Sequence, residues 1–190
     1  MVVPGLALSA ALPARAESTR PAIEGLRLEH DDAGIRVSFR LTGAFNEDVL
    51  ERVHSGVRLS FEHRVVLLGK RVAPLLPRVT LARTVVVTTV QYDSLTQRYD
   101  LERRTLAKGW PENDAPPDRV EQRATKSRDE MESWMGDLVS VPLPDPRERD
   151  DPHKIRVRTD LGMRFILMFL PWPNTATAED WLPPGAGSPE

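Results

Sequence analysis

Hydrophobic and polar residues alternate with period two over much of this chain, the pattern of strands with one dry and one wet face. Leu26 and Leu28 alternate with Arg27 and Glu29. His30-Asp31-Asp32-Ala33-Gly34 then supplies Asp side chains that bond local backbone and a glycine that accepts positive φ. Ile35, Val37, Phe39 and Leu41, interleaved with Arg36, Ser38 and Arg40, complete a predicted hairpin. Asn46 as an N-cap, Glu47 and Asp48 at the positive end of a dipole, an apolar stripe of Val49, Leu50 and Val53, and Gly56 as a stop predict a helix over Asn46 to Ser55.

Alternation resumes at Val57, Leu59 and Phe61 and runs into Val65 to Leu68, where both faces read as buried. After a turn at Pro74 to Pro77, Val79 to Tyr92 is rich in Val and Thr and long enough for a central strand. Asp93-Ser94 marks a turn, Thr96 to Arg104 a further strand, and the charged stretch Lys108 to Arg123 a surface loop. Ser127-Arg128-Asp129-Glu130 fits a capping box. Met131, Trp134, Met135 and Leu138 follow at helical spacing, predicting a second helix over Ser127 to Leu138. Beyond a Pro142 to Pro152 loop, Ile155, Val157 and Thr159 alternate with Arg156, Arg158 and Asp160, and Met163 to Leu170 adds a last strand.

Most of these connections are too short for parallel crossovers, so the pairing is antiparallel. The expected fold is mainly β: an antiparallel β-sandwich of about seven strands with two short inserted α-helices, or else a partly closed antiparallel barrel. A barrel interior can carry a ligand, whereas a sandwich core is usually full.

Composition narrows the functional classes. No cysteine is present, which removes disulfides, thiol nucleophiles and cysteine-ligated zinc. The 26 basic and 28 acidic residues are interleaved, unlike the basic footprint of a nucleic-acid binder. Val2 to Leu12 form an apolar stretch, and Ala14-Arg15-Ala16 supplies small residues around a cleavage site, predicting a signal peptide over residues 1–16. A single β-rich domain is expected over 17–170 and a proline-rich tail over 171–190. Phe165 to Trp172 is far short of the about 20 apolar residues that span a bilayer, so a soluble periplasmic or otherwise exported product without a transmembrane segment is expected.

Two stretches carry a family resemblance: Gly56-Val57-Arg58-Leu59-Ser60-Phe61, and Tyr92-Asp93-Ser94-Leu95-Thr96-Gln97-Arg98-Tyr99-Asp100-Leu101. With the late helix, Val141-Pro142-Leu143, the strand Ile155 to Leu161 and Asp180-Trp181 in similar order, the chain resembles the bacterial family called domain of unknown function 4390. It departs at Val65 to Pro77, which is aliphatic where many members carry tryptophan and tyrosine. The resemblance implies export in Gram-negative bacteria, and frequent encoding beside a membrane sensor kinase. It implies no activity.

Catalytic and cofactor chemistry find no motif here. His30, His54, His63 and His153 lie in no metal-ligand spacing. His30 with Asp31 and Asp32 is the one local cluster of ligand types, and a hairpin turn needs the same residues. No phosphate loop or serine elbow is present. The candidate binding or family-motif residues are Tyr92, Leu95, Thr96, Tyr99, Arg156, Arg158 and Trp181. Tyr92 and Tyr99 read first as a brace across a hairpin. Arg36, Arg40, Arg58, Arg156 and Arg158 would line one anionic-ligand surface if their strands are neighbours, against a solvated sheet face. Trp172 and Trp181 would staple the tail or meet a partner. The chain reads as a non-catalytic periplasmic binding module with an envelope protein partner and no cofactor; the alternatives are a carrier of an apolar ligand and a hydrolase with a dispersed carboxylate or histidine site.

Overall fold

The computed structural model describes residues 20–31, 34–71, 77–106, 118–144, 153–166 and 170–182; the expected signal peptide lies outside them. In chain order the elements are β1 (Ala22–Asp31), β2 (Gly34–Thr42), α1 (Glu47–His54), β3 (Leu59–Arg71), β4 (Arg78–Asp93), β5 (Arg98–Leu106), β6 (Arg119–Thr125), α2 (Arg128–Gly136), β7 (Asp137–Leu143), β8 (His153–Ile166) and β9 (Leu170–Leu182). They form a three-stranded sheet in the order β1-β2-β7 and a six-stranded sheet in the order β6-β5-β4-β3-β8-β9. Every strand pairing is antiparallel. The two sheets face each other as a sandwich, and among the described residues no sheet closes into a barrel.

The period-two reading explains the packing. Ile35, Val37 and Phe39 of β2 and Leu138, Val141 and Leu143 of β7 meet Val65 and Leu67 of β3, Val86 of β4, and Ile155 and Val157 of β8. Beyond the smaller sheet, the helices cover the same face of the larger one. Leu50 and Val53 of α1 and Met131 and Met135 of α2 pack with Leu59, Phe61, Val90, Tyr99 and Leu101. Burial of each such side chain stabilises the fold by roughly 1.5–3 kcal/mol before entropy is counted. Val37, Val53, Val65, Leu67, Met131, Met135, Ile155 and Val157 are fully enclosed, so the space between the layers is filled with side chains.

Local chemistry sets the helix ends. The Asn46 side chain accepts from the Val49 amide at 3.0 Å, and Gly56 at φ 81° turns the chain out of α1 into β3. Ser127 caps α2 through the Glu130 amide at 3.3 Å. The reciprocal half of the expected capping box is absent: Glu130 takes Arg123 and Thr125, and the Ser127 amide donates to Thr125 Oγ1 at 3.0 Å.

Four expectations change. The stretch read as a loop to Arg123 contains β6, and the described residues form nine strands where about seven were expected. The second helix ends at Gly136, so Leu138 is buried from β7 rather than from a helix stripe. The pairing continues past residue 170, because β9 runs to Leu182 and places Trp181 opposite Lys154 in the sheet. Residues 183–190 of the expected tail lie outside the described residues.

Candidate functional site

The most specific sequence motif lies at the β4–β5 hairpin. Tyr92 and Tyr99 are register partners, with ring centroids 4.9 Å apart. The His54 ring, from the last turn of α1, stands edge-on to Tyr92 at 5.1 Å and brings Nε2 to 2.7 Å from the Tyr99 hydroxyl. Gly56 suits the left-handed backbone, φ 81°, that follows His54 and lies beside the Tyr92 carbonyl. The tyrosine brace is thus a three-ring cluster.

Asp93 builds the turn beyond the brace. Its Oδ1 accepts from the Leu95 amide at 2.9 Å and the Thr96 amide at 3.4 Å, and its Oδ2 accepts from the Thr96 hydroxyl at 2.7 Å. The Thr96 hydroxyl, followed by the Leu95 amide, holds the Asp93 carboxyl below its usual value. Gln97 at φ 52° completes the return into β5. Leu95 is left 94 % exposed at the tip, an apolar side chain on backbone tied down on both sides. Thr96 therefore serves the turn, while Leu95 serves nothing within the fold.

The arginines do not share one surface. Arg36 and Arg40 point outward from the three-stranded sheet, with Arg40 bound to Asp137 at 2.7 Å. Arg58, Arg156 and Arg158 lie on the outer face of the six-stranded sheet, across the molecule. There Arg58 meets Glu102 at 3.2 Å and Arg156 meets Glu179 at 2.5 Å, while Arg158 stands opposite Arg64. A cleft of about 490 Å³ opens on this face between Arg58, Gln91, Asp100, Glu102 and Gln122. Glu102 sits within it under Arg58, Arg104 and Gln122, so the lining neutralises itself.

One buried and one half-buried polar residue were missed as structural parts. His63 is fully enclosed, with Nδ1 at 2.9 Å from Thr159 Oγ1 and Nε2 at 3.2 Å from Thr88 Oγ1. Burial, aided by the Arg103 charge, lowers its pKa to about 3. Arg103 lies 4.5 Å from the Trp134 ring and donates to the carbonyls of Trp134 and Asp137, satisfying the end of α2. Arg103 also borders a small pocket of about 100 Å³ with Thr105, Asp118, Glu121 and Ser140. Among the described residues no three His, Cys, Asp or Glu side chains converge on a metal position. The side chains of His30, Asp31 and Asp32 lie outside the described ones.

At the other end of the sheet, Trp181 is half-exposed, with the Arg78 guanidinium 4.9 Å and the Lys154 ammonium 5.7 Å from its ring centroid. The Trp172 side chain lies outside the described residues. No helix of the described chain is long and apolar enough to cross a membrane.

Neither a curated protein nor a solved structure matches the chain. A family model does, over residues 19–164, which includes the braced hairpin, both helices and β1 through most of β8. The chain belongs to that family, described as Domain of unknown function (DUF4390).

Proposed function

We propose that the protein is a non-catalytic, exported binding module that engages an envelope protein through its β4–β5 hairpin. The observation that carries this reading is Leu95: almost wholly exposed, on a turn fixed by Asp93 and backed by Tyr92, Tyr99 and His54. A rigid turn loses little entropy on docking, so one apolar anchor on it contributes more than the same residue on a mobile loop. The complementary surface is a protein pocket of apolar lining. Membrane sensor kinases, the neighbours the family resemblance implies, are the first partners to try. The packed layers favour this reading over an apolar-ligand carrier, and the spent polar groups favour it over a hydrolase.

A photoreactive amino acid at position 95, expressed in the native host, tests the proposal. One adduct of defined mass is expected from position 95 and not from Ser60, and Leu95→Glu should abolish co-purification of that partner while leaving the urea midpoint unchanged. Equal labelling from both positions, or a partner retained by Leu95→Glu, refutes it. N-terminal sequencing of the envelope fraction tests export, with Glu17 as the expected first residue.

A further inference from the structure

The end of the sheet opposite Leu95 has a different chemistry. β3 and β4 reach it as a pair whose register runs to Arg71 opposite Arg78, and β9 brings Trp181 alongside Lys154. Among the described residues here Val79, Leu81 and Trp181 are 47 %, 38 % and 52 % exposed. Leu81 lies over Gly69, where a methyl group in place of the glycine hydrogen would come within 3.1 Å of it, on the face opposite Trp181. Apolar groups therefore appear on both faces of the strand pair at its end, which one flat protein partner would cover only in part.

Two cations flank the indole. Among the described side chains Arg78 and Lys154 lie beside the Trp181 ring, with Arg156, Glu179 and Asp180 next to them in the register. Glu179 is shared by Lys154 and Arg156, and both hold its carboxyl below its usual value. Arg78 is fixed over the indole by a 2.9 Å bond from its guanidinium to the Gly69 carbonyl.

From this arrangement we infer that the β3–β4 end is a contact for the surface of an anionic lipid bilayer, with Trp181, Val79 and Leu81 entering the headgroup boundary and the cations meeting phosphates. A half-exposed indole suits that boundary, having an apolar body and one polar edge. Lysine and arginine lay their stems along apolar groups while their heads stay wet. Arg78 and Lys154, the cations at the indole, are complementary to an anionic leaflet, and the exposed apolar groups distinguish a bilayer from a free phosphate, which would use the cations alone. The contact is peripheral and needs no spanning segment.

The absence of cysteine makes the test direct. Val79→Cys and Leu95→Cys, each carrying an environment-sensitive fluorophore, are mixed with vesicles of phosphatidylcholine alone or with phosphatidylglycerol. Expected are a blue shift at position 79 with the anionic vesicles only, none at position 95, and loss of binding of the unmodified chain in 0.5 M salt. Arg78→Gln with Lys154→Gln should weaken partitioning on the order of thirtyfold. Lys154→Gln alone, which leaves the Arg78 to Gly69 bond intact, should weaken it about fivefold. No binding to anionic vesicles, equal shifts at both positions, or binding insensitive to salt overturns the inference. Polyglutamate that binds at position 79 when vesicles do not overturns it in favour of an acidic protein segment.

Discussion

Acidification should unfold this protein through one residue, His63. The ring is fully enclosed between the sheets, 5.8 Å from the Phe39 ring. Thr88 Oγ1 donates to the Met135 carbonyl at 3.3 Å, which leaves its lone pair to accept from a His63 Nε2–H, and in that neutral tautomer the Thr159 hydroxyl donates to Nδ1. A neutral imidazole satisfies both contacts, and burial, with the Arg103 charge nearby, disfavours a second ring proton. The folded pKa of about 3 lies below the ordinary 6.5, so between those values the unfolded chain binds the proton and the folded one does not. Stability from this residue is therefore complete above pH 6.5 and falls as pH drops toward 3, by about 1.4 kcal/mol per unit.

Between pH 6.5 and 4.5 that slope amounts to roughly 3 kcal/mol, a large share of the 5–15 kcal/mol typical of a domain. Urea unfolding followed by tryptophan fluorescence from pH 7.5 to 4.5, for the natural chain and His63→Gln, isolates the term. Carboxylates and the other histidines contribute alike to both proteins and cancel in the difference. The variant should be less stable at pH 7.5 and should lose its disadvantage progressively below pH 6.5. A difference that stays constant across the range refutes the assignment of a neutral, enclosed His63.

Three further substitutions probe the frame. Gly136→Ala would place its methyl 2.9 Å from the Leu41 carbonyl, backbone that cannot give way cheaply, and should cost about 1–3 kcal/mol in urea melts. Tyr99→Phe removes the hydroxyl that meets His54 Nε2 at 2.7 Å and should cost about 0.5–1.5 kcal/mol, with the His54 imidazole signals shifting in NMR spectra. Asp93→Ala should leave the global urea midpoint nearly unchanged but accelerate hydrogen exchange at the Leu95 and Thr96 amides, which lose their acceptor. Acid should act the same way only well below the usual carboxylate range, because the Thr96 and Leu95 bonds hold Asp93 ionised and are lost as pH falls through its lowered pKa.

Sequence patterns exposed those parts of the fold in which one face is dry. β2 and the first half of β3 alternate between buried and wetter positions, and the caps at Asn46 and Ser127 stand where local chemistry put them. β6 escaped because Arg119 to Thr125 is an edge strand exposed at most positions, so no apolar face marks it. β9 escaped because its prolines argue against a central strand, yet an edge strand accommodates them. Leu138 fits the helical period and the strand period equally, and pairing of Asp137 and Leu138 with Arg40 and Phe39 of β2 decides between them. At the hairpin, the Tyr92–Tyr99 pair was readable from turn spacing, but His54 reaches it through packing of α1, which no local pattern encodes. The Arg36–Arg156 separation is likewise a matter of which sheet each strand joins.

β4 ties the two proposed contacts together. Its 16 residues run from Arg78, over Trp181, to Asp93, which builds the Leu95 turn, a span of about 50 Å at about 3.3 Å per residue. Between those ends Thr84, Val85, Val86, Thr88, Thr89 and Val90 are buried and the strand is paired on both sides, so it acts as a strut rather than a hinge. A bilayer held at one end would then place the hairpin at a fixed height above it, within reach of a membrane protein's extramembrane domain. Substitutions so far apart share no partner and should not couple. Leu95→Glu combined with Lys154→Gln should lose partner binding and vesicle binding by the same factors as each does singly. A double variant whose vesicle affinity departs from that of Lys154→Gln alone would show that the two ends communicate, and the strut description would fall.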